Sequence, residues 1–105
     1  MRKGMKERQI LVVVKRPGED AVVEPLFENT LEAFQAAVGG YIETVTFGGI
    51  CIICNEEGRL MGLAENVSIG GVDFCGTIMV VGVKQDEFCS LRASVVPEVL
   101  RLLGG

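Results

Sequence analysis

The sequence predicts a single α+β domain: a mostly antiparallel, curved β-sheet of about five or six strands, with two short helices. Three observations carry this. Short runs of β-branched and apolar residues recur along the chain, at 10–14, 50–53 and 78–81. They are separated by tight reversals marked by Pro-Gly, Gly-Gly and Asn-Glu-Glu-Gly rather than by long crossovers. Two segments only show apolar spacing of helical period, at 31–38 and 96–103. Short connections favour antiparallel neighbours.

Taken in order, residues 9–16 (QILVVVKR) read as a strand. Pro17-Gly18-Glu19-Asp20 turns the chain. Residues 21–27 form a second strand, and Pro25 inside it points to a sheet edge, where a missing N–H does no harm. Asn29 is the expected N-cap of a helix, with Glu32 reaching back to complete a capping box. Leu31, Phe34 and Val38 form its apolar stripe, and Gly39 ends it. Residues 41–47 alternate as a strand, Gly48-Gly49 is a two-residue hairpin turn, and residues 50–54 return. Asn55-Glu56-Glu57-Gly58 reverses the chain again, with Gly58 expected at positive φ. Residues 59–63 read as a short strand, 65–71 as an irregular loop, and 72–83 as one long strand with Gly76 as a bulge. After a turn at 84–87, Ser94 is the expected cap of a last helix, with Pro97 in its first turn. Val96, Val99, Leu100 and Leu103 would give that helix its buried face.

The 105 residues suit one domain with its own core, and 49% apolar residues exclude a disordered chain. Charge is unevenly spread. Residues 1–8 carry Arg2, Lys3, Lys6 and Arg8 against Glu7, a basic flexible tail, and residues 9–105 form the domain with a net charge of −7. The apolar run behind the tail spans five residues before Lys15-Arg16-Pro17, too short for a signal peptide, and no stretch approaches a membrane span. The expected location is the cytoplasm, with neither membrane nor nucleic acid as partner.

The chain contains no histidine. That removes the commonest general base at neutral pH, the His-activated nucleophiles and every His-containing metal site. No paired carboxylates of catalytic type replace it, so the expected function is not enzymatic. Cys51-Ile52-Ile53-Cys54 has the spacing of a zinc or redox pair. On a strand, however, residues three apart face opposite ways, and four free thiols without metal or cofactor are expected. The Gly-Gly pairs lack a phosphate-loop pattern and read as turns. Glu43, Asn55, Glu56 and Asn66, with Glu57, are the densest polar groups. Side-chain oxygens of this kind can coordinate a hard cation or bind ligand hydroxyls and amines, although Asn at a reversal also follows from turn chemistry alone.

One combination is more specific than its parts. The Asn29-Thr30-Leu31 helix start, Val38-Gly39-Gly40-Tyr41-Ile42-Glu43, Asn55-Glu56-Glu57-Gly58, Gly62, Asn66 and Gly76-Thr77 together resemble an uncharacterised family of small phage, plasmid and integrative-conjugative-element proteins, over residues 10–100. The resemblance implies a mobile-element setting and a host-interaction or counter-defence role, and Glu43, Asn55, Glu56 and Asn66 are the polar residues of its pattern that turn geometry explains least well. The leading expectation is therefore a binding module for a protein or small-molecule partner. The alternatives are a sponge for a nucleotide-like molecule, with amides near Gly70-Gly71, and an acidic DNA mimic. A homodimer is expected because two short helices hardly cover both faces of so apolar a sheet.

Overall fold

The computed structural model describes residues 7–104. Its centre is a six-stranded antiparallel sheet in the order β2-β1-β7-β4-β3, with β8 also paired to β7. The strands are β1 (Gln9–Lys15), β2 (Val22–Glu28), β3 (Ile42–Phe47), β4 (Ile50–Asn55), β7 (Ile78–Lys84) and β8 (Glu87–Cys89). A separate two-stranded sheet is made by β5 (Glu65–Ile69) and β6 (Val72–Cys75). The helices are α1 (Leu31–Val38) and α2 (Val96–Leu102), the latter preceded by a single 3₁₀ turn.

The apolar runs lie where two-sided burial demands them. In β1, β4 and β7 successive side chains enter alternate layers. Val13, Ile52, Ile78 and Val80 join α2 and the β5–β6 hairpin on one face. Val12, Val14, Ile53, Met79 and Val81 join α1 on the other. There the Phe34 ring packs against Phe27 and Phe88, with centroids 5.2 and 5.3 Å apart. Among the described residues, no helix is long and apolar enough to cross a membrane.

Several expectations are corrected. The main sheet has six strands, within the expected five or six, but a second sheet adds two more. Residues 59–63 are not a strand: 59–62 are consecutive turns, closed by Met61 N donating to Glu57 O and Leu63 N to Gly58 O. The loop expected at 65–71 is instead β5 and the turn of its hairpin. The long strand at 72–83 is two strands in different sheets, broken at Gly76, which has a φ of +84° and whose N–H donates to Ala64 O. Gly58 is not left-handed; its role is close approach, since a Cβ there would lie 2.8 Å from the Cys75 carbonyl oxygen.

The caps differ too. Thr30, not Asn29, is the N-cap, its Oγ1 accepting from Ala33 N at 3.1 Å. Asn29 is buried and donates to the Glu7 and Phe88 carbonyls, while its own N–H donates to Arg8 O. Glu7 and Arg8 are thereby tied to the domain; the rest of the expected tail lies outside the described residues. Leu31 points to solvent, leaving Phe34 and Val38 as the buried stripe. Ser94 sits in the 3₁₀ turn and caps nothing, whereas Pro97 does fall in the first turn of α2.

The argument for a dimer through an uncovered sheet face loses its ground. The hairpin, unforeseen from the sequence, supplies Ile69 and Phe74 to the layer that α2 alone would leave open.

Candidate functional site

The Asn55–Gly58 reversal, the outer strand β3 and the hairpin strand β6 enclose an open cleft of about 180 Å³. Glu43 and Val45 enter from β3, Glu56 and Arg59 from the reversal, and Asp73 and Phe74 from β6. A second hollow of about 390 Å³ shares Arg59, Asp73 and Phe74 with it, and adds Glu65, Asn66 and Ser68. The structure thus brings Glu43, Asn55 and Glu56 together and sets Asn66 in the neighbouring hollow.

The four candidates divide into two kinds. Asn55 is 5% exposed and both polar atoms of its amide are hydrogen-bonded. Nδ2 donates to Val38 O at 3.0 Å, satisfying a carbonyl at the end of α1, and Oδ1 accepts from Glu57 N at 2.8 Å. Gly40 makes room for it, because a Cβ there would lie 2.9 Å from Asn55 Nδ2. Asn66 is engaged further, with three bonds. Its Nδ2 donates to Lys15 O and Gly76 O at 2.9 and 2.8 Å, and its Oδ1 accepts from the buried Lys15 Nζ at 3.2 Å. These two amides hold the scaffold. Glu43 and Glu56 are exposed, and neither carboxylate has an ion-pair partner among the described residues.

Arg59 and Asp73 complete the rim. Their charged atoms are 3.9 Å apart and largely solvated, a weak pair, and the guanidinium also donates to Asp73 O at 3.4 Å. Ser68 Oγ donates to the Asp73 carboxylate. Asp73 was missed because residues 72–83 read as one strand, which would have carried it away from the reversal. Among the described residues, no group of three or more Cys, Asp or Glu converges as a metal site.

Cys54 forms part of the cleft floor and Cys51 faces the opposite layer, as strand alternation requires. The four cysteines are free. Burial, then the Glu43 charge and then Cys51 push the Cys54 thiol up from 9.0 to about 11, so it stays protonated at neutral pH. A raised folded-state value means that the native thiol keeps its proton while the unfolded one ionises. Stability from this group is complete below about pH 9 and is lost as pH rises toward 11. Urea melts across that window should show an alkaline loss that Cys54→Ala reduces. An identical pH profile for the variant would refute the assignment.

A family model described as "Domain of unknown function (DUF3846)" matches residues 7–104, nearly the whole chain. Comparison with curated proteins and with solved structures returns no match.

Proposed function

We propose that this chain, which belongs to the DUF3846 family, is a non-enzymatic binding module whose cleft takes a basic segment of a protein partner. The observation that carries this reading is the pair of exposed carboxylates, Glu43 and Glu56, without an ion-pair partner among the described residues, beside the apolar side chains of Val45, Val72 and Phe74. Such a surface suits a Lys or Arg whose head meets the carboxylates while its methylene stem lies on the apolar floor. At about 180 Å³ the cleft is smaller than the roughly 300–1,000 Å³ usual for organic ligands, which favours a side chain of a larger partner. A nucleotide-like anion is disfavoured, because among the described residues the one cation of the cleft, Arg59, already lies against Asp73 and the remaining charges are negative. A DNA mimic is disfavoured by the small number of carboxylates on this rim. The same reading has the protein acting in the cytoplasm in a mobile-element setting of host interaction or counter-defence, as a homodimer joined at a sheet edge rather than through an uncovered sheet face.

Selection of a random displayed-peptide library on the purified protein tests the reading. Enriched peptides should carry Lys or Arg, and Glu43→Gln or Glu56→Gln should each weaken them about three- to tenfold without lowering thermal stability, as expected for losing one partly exposed charge contact. Peptides without basic residues, or binding indifferent to both substitutions, would overturn it.

A further inference from the structure

The two edges of the main sheet are built differently. On β2 the register with β1 steps from Ile10–Phe27 to Val12–Glu24, so the strand bulges at Pro25-Leu26. Pro25, the bulge and the charges of Glu24 and Glu28 are the usual devices that keep an edge from pairing. The edge strand β3 has neither proline nor bulge. It pairs with β4 in six unbroken steps from Ile42–Asn55 to Phe47–Ile50, and it carries one charge, Glu43.

Which of its backbone groups turn away from β4 follows from one hydrogen bond. Glu56 N donates to Tyr41 O at 2.8 Å, which makes Tyr41 and Glu56 a hydrogen-bonded pair at the end of the ladder. In an antiparallel ladder such pairs alternate with non-bonded ones. The amides and carbonyls of Glu43, Val45 and Phe47 therefore turn toward β4, and those of Ile42, Thr44 and Thr46 turn outward. Phe47–Ile50 closes the two-residue Gly48-Gly49 hairpin as a bonded pair on the same alternation.

We propose that this edge is the seam of the homodimer: β3 pairs antiparallel with β3 of a second copy about a two-fold axis through Thr44, making one sheet continuous across both. The inference rests on the homodimer of the reading above and names its surface. A two-fold axis normal to the sheet keeps each face on its own side, so residues opposite one another must share a face. The register through Thr44 satisfies this and engages all the outward groups. Thr44 meets Thr44 of the partner subunit, and Ile42 meets Thr46 of the partner subunit. On the other face Glu43 meets Val45 of the partner subunit. Tyr41, 71% exposed in the single chain, meets Phe47 of the partner subunit.

The neighbouring allowed registers are worse. A shift toward the start of β3 sets Glu43 against Glu43 of the partner subunit, and like charges directly opposite repel. A shift toward its end leaves the outward groups of Ile42 unpaired and takes Tyr41 away from Phe47 of the partner subunit. Because the axis preserves the faces, the two acidic clefts come to lie on the same side of the joined sheet, and Glu43 and Val45 border both seam and cleft. A partner with two basic segments is then held at both. A seam of one short strand is small, below about 1,200 Å², so dissociation in the micromolar range is expected.

Sedimentation of the full chain across micromolar concentrations should show its mass rising from 11.3 kDa toward twice that value. Over the same range, hydrogen exchange at the Ile42, Thr44 and Thr46 amides should slow, while Glu43, Val45 and Phe47 stay protected throughout. Thr44→Pro removes an outward N–H and leaves the bonds to β4 alone; it should weaken association about tenfold or more, and Thr44→Ala should not. If Thr44→Pro proves unfolded by circular dichroism, the exchange pattern of the natural chain decides. A monomer at all concentrations would refute both the seam and the homodimer. A dimer with fast, concentration-independent exchange at Thr44 would refute the seam alone. Neither result bears on peptide binding at Glu56, which lies outside the seam.

Discussion

Replacing Asn66 by Leu is expected to lower stability by about 3 kcal/mol or more and to loosen the β5–β6 hairpin from the sheet. The amide of Asn66 makes three contacts that join separate parts of the fold: two carbonyls, at Lys15 and Gly76, and the Lys15 ammonium. Leu keeps the volume and removes the polarity, so two acceptors lose a donor. The Lys15 Nζ, on a side chain held in the interior, is left with Arg16 O. Each buried polar group deprived of its partner costs about 1–3 kcal/mol, more where the group is charged. Against a typical total of about 5–15 kcal/mol for a domain, that is a large fraction. Urea melts measure it. A loss below about 1 kcal/mol would mean that Asn66 is not the clamp, and would return its amide to the list of groups available to a ligand.

The central sheet was legible because two-sided burial writes itself as continuous apolar runs. Residues 10–14, 50–53 and 78–81 lie in β1, β4 and β7. Pro25 marked an edge strand correctly, and Gly39 and Gly48-Gly49 marked a helix end and a hairpin. Residues 59–75 were not legible. ENVSI and VDFC are short and carry mixed polarity, so their pairing is set by what they pack on, Phe47 and the α2 layer, rather than by a local pattern. The same gap hid half of the cleft, because Asp73 and Phe74 reach it only through that hairpin. Nor can a sequence tell an amide that faces solvent from one that is spent indoors. Asn55 and Asn66 stood out as polar residues in an apolar stretch, and both turn out to be struts, which leaves Glu43 and Glu56 as the groups with charge to spare.

That division sets up the second large effect. Asn55→Ala is expected to cost about 2 kcal/mol, because Val38 O at the end of α1 loses its donor in a buried place and Glu57 N loses the acceptor that shapes the reversal. Glu56 is carried on that reversal, so affinity for a basic peptide should fall in the same variant, with Glu56 still present but no longer held in place. Glu56→Gln should do the opposite: affinity falls and stability stays within about 0.5 kcal/mol, the usual range for a surface substitution. The double variant separates the two mechanisms. If Asn55 acts by positioning Glu56, adding Glu56→Gln to Asn55→Ala should lower affinity by less than it does in the natural chain, since a displaced carboxylate has less left to lose. Fully additive affinity losses would mean that Asn55 and Glu56 act independently. A stability-neutral Asn55→Ala would show that the buried amide supports neither the helix end nor the reversal, and the cleft would then need another explanation for its shape.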